Sequence, residues 1–504
     1  MYDLVIRGGL VYDGLGNPPK KQDVAVKDGV IRCVGNVPER GAREIDAAGL
    51  CVTPGFIDSH SHADNAVLTH PAMPVVVEQG ITTSVTGQCG NAIFPNRSEG
   101  PEQDVPAFFR RLRAGRTGMN YSLFVGHSSL RYVVMGKRMT EPTPAEMAEM
   151  KRLLAEALDA GALGLSLGLT YVPGAYAKTA ELCELASVLT ARGGVLVAHI
   201  RNEGDRVEEA LDEFLSVVKS AGVTGVVSHF KACRACNHGK VKSMIAKVEQ
   251  TVAEGYPVYM DVYPYTATST SLSTGYVPKE MLSLPTEEVV AELKKAEVRA
   301  ELKSRFIPTK GADLSHVYIT SGKGCAAYVG KYMNEIAAEK GVDMYEACFD
   351  VLCDSGLTAK ACYFTVSEAD MQEVLSHPRV MVGTDGGAAV NLTMYHPRTR
   401  GTFPRAIGKY VREVGLLPME EMIRKMTSLP AAVYGFAGKG RIAEGFDADL
   451  CIFDAATIRD RATYAEPHHP PQGLHYVIVG GEIAVEDGKR TETLSGKFLP
   501  RAAR

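Results

Sequence analysis

The stretch Gly55-Phe56-Ile57-Asp58-Ser59-His60-Ser61-His62-Ala63-Asp64 reads as the end of a buried strand that carries two histidines. Phe56 and Ile57, with Val52 before them, are apolar, and His60 and His62 follow where the strand should stop. Residues i and i+2 of an extended chain point to the same side, so both imidazoles can face one point. Two histidines at that spacing make half of a metal site. They also fit a plain surface loop, and the rest of the chain has to separate the two readings.

Working outward, the 504 residues are enough for a large core and more than one folded unit, since single cores seldom grow beyond about 250–300 residues. Apolar residues at 45% and charged residues at 23% place the chain among ordinary globular proteins rather than disordered ones. Fifty-five basic against fifty-nine acidic residues leave a net charge of −4, which gives no footprint for nucleic acid or an anionic membrane. No apolar run reaches the length of about 18 residues that a transmembrane helix needs. Met1-Tyr2-Asp3-Leu4-Val5-Ile6-Arg7 enters a strand-like pattern directly, unlike a signal peptide. Eleven dispersed cysteines, an odd number, suit reduced thiols. The expected setting is the cytoplasm and the expected partner a small molecule; monomer and homo-oligomer both fit.

Residues 1–55 read as short strands with tight turns, among them a hairpin at Lys27-Asp28-Gly29-Val30. The same style returns over 436–504, in Ala448-Asp449-Leu450-Cys451-Ile452-Phe453 and Tyr476-Val477-Ile478-Val479. One small β-sandwich domain built from both termini is the economical interpretation. Between them, residues 56–435 alternate strands with amphipathic helices. The expected strands are 56–60, 81–86, 121–126, 162–167, 195–200, 224–229, 257–262 and 380–384, with helices at 144–160, 179–192, 205–220 and 241–254. The alternation implies parallel strands joined by helical crossovers, and eight of them suggest a (β/α)8 TIM-like barrel, an α/β fold. A doubly wound open sheet is the competing architecture, but no glycine-rich phosphate fingerprint follows the first strand. Residues 266–330 break the rhythm and read as an insertion placed to act as a lid. A further strand at 361–366 is one more than the barrel needs.

Reactive residues in such a barrel sit at the C-terminal ends of its strands. There the chain carries His60 and His62, then Cys89 in Gly87-Gln88-Cys89-Gly90, then His199, His229 and Asp385. Singly, each has an ordinary structural explanation: a core thiol, a satisfied histidine, a turn aspartate. Six on one rim are what two metal positions need, with a thiolate able to bridge two cations, and zinc suits that mixture of N, O and S ligands.

These residues sit in motifs that resemble the amidohydrolase superfamily, and within it the N-acyl-D-amino-acid deacylases (D-aminoacylases). The resemblance rests on Gly55-Phe56-Ile57-Asp58-Ser59-His60-Ser61-His62, Gly87-Gln88-Cys89-Gly90, His199-Ile200-Arg201-Asn202-Glu203-Gly204-Asp205 and Ser228-His229-Phe230-Lys231. It continues through Asp261-Val262-Tyr263-Pro264-Tyr265, Gly383-Thr384-Asp385-Gly386, His396-Pro397-Arg398-Thr399 and Gly401-Thr402-Phe403-Pro404, and so spans nearly the whole chain. It implies that Cys89, His199 and His229 hold a tightly bound zinc. His60, His62 and Asp385, with Cys89 bridging, would form a second, often weakly occupied position. The related hydantoinases bridge their metals with a carboxylated lysine from the fourth strand. Here that strand reads Ala162-Leu163-Gly164-Leu165-Ser166-Leu167-Gly168, without a lysine, which argues against a cyclic-amide substrate.

Zinc makes hydroxide available near neutral pH and polarises an amide carbonyl. Asp385 is the expected general base and acid. The resemblance points to Lys231 and Arg398 for the substrate α-carboxylate, with Tyr171 and Tyr263 as weaker candidates. Arg201 and Glu203 are expected to form a structural ion pair. Cys233-Arg234-Ala235-Cys236 has the spacing of a zinc or redox pair but lacks a second pair, so incidental thiols are the simpler interpretation. His396 receives no catalytic role. The resulting expectation is hydrolysis of N-acyl-D-amino acids. The alternatives are an amidase for another linear amide, such as a dipeptide with a D-residue, a hydantoinase-like enzyme, and a non-catalytic binding protein.

Overall fold

The computed structural model describes residues 1–98, 103–388 and 394–502. Each of the eight expected strands is present: Phe56–Asp58, Ile81–Thr86, Asn120–Leu123 continued by Val125–Gly126, Gly164–Gly168, Val195–His199, Thr224–Val227, Val258–Val262 and Val380–Val382. All pair in parallel, in chain order, in a three-stranded and a six-stranded sheet that meet at Phe124. Ser59 N donates to Val382 O at 3.3 Å, and Ser61 bridges Gly386, so hydrogen bonding also links the first strand to the last. Phe56, Val85, Leu165, Val197, Val226, Met260 and Val382 on these strands are buried.

The crossover helices form where the apolar spacing placed them, at Pro144–Asp159, Thr179–Thr190, Val207–Ala221 and Val241–Ala253. The first begins with a reciprocal cap: Thr143 Oγ1 accepts from Glu146 N while Glu146 Oε2 accepts from Thr143 N. Val207–Ala221 shows the pattern that seats a helix on a sheet, burying Val207, Leu211, Phe214 and Val218 and exposing Glu209 and Asp212.

The two chain ends assemble together. Their strands pair into one continuous nine-stranded sheet. Cys51–Pro54 joins the N-terminal strands to Leu450–Phe453 of the C-terminal ones. The hairpin at Lys27–Val30 turns through Asp28 and Gly29, both left-handed.

The interruption before the last strand is longer than 266–330. Thr268–Ser271, Lys360–Tyr363 and Val317–Ser321 form an antiparallel sheet of their own, with Lys360–Tyr363 in the middle. The surplus strand near 361–366 therefore belongs to the insertion. Helices between these strands supply a separate core that includes Leu272, Leu293, Phe306, Ile336 and Phe349.

No helix among the described residues is long and apolar enough to cross a membrane.

Candidate metal centre

Strand ends carry the site because the backbone leaves the sheet there and can adopt turns that a strand forbids. Cys89, His229 and Asp385 all have left-handed φ values, of 53°, 36° and 46°. For non-glycine residues this conformation costs about 1–3 kcal/mol and persists only where the surroundings enforce it. Around Cys89 the enforcement is steric. A Cβ on Gly168 would lie 1.9 Å from Cys89 O, and one on Gly90 would lie 2.6 Å from Gly168 N. Two glycines thus let the cysteine loop press onto the neighbouring strand.

The six rim residues converge. Cys89 Sγ lies 3.4 Å from His60 Nε2 and 3.4 Å from His229 Nε2. His199 Nδ1 lies 2.9 Å from His229 Nε2. Asp385 Oδ1 lies 3.0 Å from His62 Nε2 and 3.5 Å from His60 Nε2, so the two histidines of the opening stretch do face one point. Donor atoms group as Cys89, His199 and His229, and as His60, His62, Cys89 and Asp385, each group within 4.8 Å and with Cys89 in both. Ligands at ~2.0–2.3 Å from a tetrahedral ion stand about 3.5 Å apart, so the chemistry and spacing of both groups fit a borderline cation.

The ring nitrogens turned away from the centre are held by carboxylates. His60 Nδ1 donates to Asp261 Oδ2 at 3.2 Å, and His229 Nδ1 lies 2.9 Å from Glu203 Oε1. Such contacts fix the tautomer and the ring direction of a metal-binding histidine. Asp261 Oδ1 also accepts from His229 N at 2.7 Å. Asp58 joins the first and last strands, accepting from His60 N and Thr384 N through Oδ1 and from Thr384 Oγ1 through Oδ2. Burial alone would raise the Cys89 thiol, but the imidazoles of His60 and His229 hold it well below its usual range. Asp385 is also well below the ordinary carboxylate range: burial opposes the shift, and Arg398 and His229 outweigh it.

A cavity of about 430 Å3 opens over these groups, lined by Tyr171, Lys231, Tyr263 and Arg398 among others. Arg398 Nη1 lies 2.8 Å from Asp385 Oδ2, and Lys231 Nζ donates to Glu203 Oε1 at 2.6 Å. The Tyr263 ring lies 4.5 Å from the Arg398 guanidinium and 5.8 Å from the Lys231 ammonium. Tyr263 Oη is buried with no hydrogen-bond partner among the described residues. Tyr171 packs against the His199 ring at 4.9 Å, with its hydroxyl 3.4 Å from Thr270 Oγ1.

The expected pairing of Arg201 with Glu203 is not formed. Arg201 grips Glu213 through Nε and Nη2, at 2.7 and 2.9 Å, and leaves Glu203 to Lys231 and His229. His396, given no role from the sequence, lines the cavity and positions Arg398, whose backbone N donates to His396 Nδ1 at 3.0 Å. The motif His396-Pro397-Arg398 was the available signal. Cys233 and Cys236 line a neighbouring cavity, and all eleven cysteines are free thiols.

Residues 43–302 and 308–485 match the amidohydrolase family. An N-acyl-D-glutamate deacylase of Alcaligenes xylosoxydans xylosoxydans is 37% identical over 95% of this chain and 93% of its own. The chain belongs to the N-acyl-D-amino-acid deacylase (D-aminoacylase) family of amidohydrolases. Among solved relatives, an N-acyl-D-glutamate deacylase of Bordetella bronchiseptica, complexed with zinc and a phosphonate mimic of the tetrahedral intermediate, is 35% identical, with a TM-score of 0.85 over 99% of this chain and all of its own. A D-aminoacylase described for the functional role of its binuclear metal centre, with one-metal activation and second-metal attenuation, is 34% identical at the same TM-score and coverage.

Proposed function

We propose that this chain uses zinc to hydrolyse the amide bond of N-acyl-D-amino acids, releasing a carboxylate and a free D-amino acid. The carrying observation is two ligand groups sharing Cys89 at the floor of one cavity whose wall holds Lys231 and Arg398. In this reading Cys89, His199 and His229 hold the tightly bound zinc. His60, His62 and Asp385 complete a second, weaker position. Zinc bound by such a set supplies Lewis acidity, giving hydroxide near neutral pH and polarising an amide carbonyl.

The chain's own residues do the rest. Lys231, Arg398 and the hydroxyl of Tyr263, unpartnered among the described residues, bind the α-carboxylate, with Tyr171 on the wall of the same cavity. Asp385 accepts the proton of the attacking water and passes it to the leaving amine. Arg398 holds the Asp385 carboxylate low. When the substrate α-carboxylate takes up part of that positive charge, Asp385 becomes a stronger base. Substrate binding and base strength are thereby coupled.

The same reading treats residues 56–435 as a (β/α)8 barrel and residues 1–55 with 436–504 as a β-domain folded like a sandwich. Free thiols and a zinc thiolate suit the cytoplasm.

The test is a zinc determination followed by a panel of N-acetyl-D- and N-acetyl-L-amino acids. D-substrates should be turned over, and Asp385→Ala should abolish turnover while keeping most of the zinc. Preference for L-substrates, or full activity in that variant, contradicts the proposal.

A further inference from the structure

Among the described residues, three permanent cations and two carboxylates line the cavity. Lys231 is engaged by Glu203, and Arg398 by Asp385. Lys360 has neither an ion-pair partner nor a side-chain hydrogen bond among the described residues. It opens the central strand of the inserted sheet, opposite Ser271 on one neighbour and Ser321 on the other. Directly opposed residues of antiparallel strands project from the same face, and all three of these line the cavity. The row therefore presents an ammonium between two hydroxyls, which together can donate several hydrogen bonds to one acceptor-only group. Thr268, Thr270 and Thr320 extend this polar wall.

We propose that Ser271, Lys360 and Ser321 form a subsite for a second carboxylate on the substrate. That carboxylate sits either on the D-amino-acid side chain, as in D-glutamate or D-aspartate, or at the end of the acyl group, as in a succinyl substituent. This inference rests on the deacylase reading and sharpens it. The charge inventory also disfavours a dipeptide, because a free terminal ammonium finds no unengaged carboxylate on the described cavity wall. The volume of about 430 Å3 lies in the usual range for small-ligand pockets and accommodates both arms.

The experiment uses the zinc-loaded full chain. kcat/KM is compared for N-acetyl-D-glutamate against N-acetyl-D-glutamine, and for N-succinyl-D-leucine against N-butanoyl-D-leucine. The first pair reports a side-chain source and the second an acyl source. One diacid should be favoured up to about 5-fold over its neutral counterpart at low salt, since a solvent-facing charge contact is worth about that much at most, and added salt should shrink the ratio. Lys360→Gln should bring the ratio close to one, with the unfolding midpoint as a control for folding. Equal turnover within both pairs, or a preference that survives Lys360→Gln, overturns the subsite. If none of the four is hydrolysed, calorimetric binding of the same compounds decides: a Lys360-dependent preference for a diacid keeps the subsite and sinks the deacylase reading, and its absence sinks both.

Discussion

Glu203→Gln keeps the shape of a buried carboxylate and removes its charge. Glu203 Oε1 accepts from Lys231 Nζ at 2.6 Å and sits 2.9 Å from His229 Nδ1. The side chains of Glu203 and Lys231 are only 16% and 6% exposed, so solvent screens the pair weakly. Removing one partner of a buried pair typically costs ~3–5 kcal/mol. The amide oxygen still accepts one hydrogen bond, so a loss of about 2–3 kcal/mol is expected. A second effect is separate. Losing the group that orients a metal-binding histidine costs roughly 10–100-fold in metal affinity, or about 1.4–2.7 kcal/mol. Denaturant unfolding of the metal-free protein reads the first effect, and competition for zinc with a chromogenic chelator reads the second. Adding Lys231→Met should restore much of the stability, because no lone charge stays buried, while zinc affinity stays low. Wild-type zinc affinity in Glu203→Gln would refute the reasoning that Glu203 orients His229.

Cys89→Ala should remove zinc from both positions, because its sulfur belongs to both donor groups; metal analysis showing the wild-type zinc content would contradict this. Gly168→Ala would place a Cβ 1.9 Å from Cys89 O, and the forced shift should cost at least about 1–3 kcal/mol in unfolding experiments together with weaker zinc binding. Lys425 is buried beneath the last strand, donating to Val380 O at 3.2 Å and also to His377 O. Burial pushes its amine down to about 7 from the usual 10.5. The unfolded chain therefore binds more protons between these values, and stability rises with pH from about 7 to about 10.5. Lys425→Met should flatten that slope in unfolding curves taken between pH 7 and pH 9; an unchanged slope would show that Lys425 is not its source.

Periodicity located the parallel strands because each is a short apolar run followed by a helix with its own spacing. The partner of a strand is not written in its own residues, which is why the strand Lys360–Tyr363 looked like a spare barrel element. Its register with Thr268–Ser271 places it in the insertion. The same limit applies to charge. His199-Ile200-Arg201-Asn202-Glu203 puts Arg201 and Glu203 two residues apart, yet Arg201 turns to Glu213 on a helix and Glu203 to Lys231 on the next strand's end. Asp58, Asp261 and His396 were visible inside motifs without a legible role, because a carboxylate or an imidazole that steers another side chain looks the same in sequence as one in a turn.

By itself the sequence determined the α/β alternation, the family, and which six residues stand at strand ends. Those follow from local patterns: side-chain period, strand length and motif order. Only the tertiary structure decided that Cys89 belongs to both donor groups, that carboxylates from distant strands aim His60 and His229, and that Lys360 is, among the described residues, the cavity's unengaged cation. These are distances between residues up to hundreds of positions apart, set by strand register and by the left-handed turns at Cys89, His229 and Asp385. The His60-Ser61-His62 stretch marks where a metal can be held, and the packing of four other strand ends around it determines what holds it.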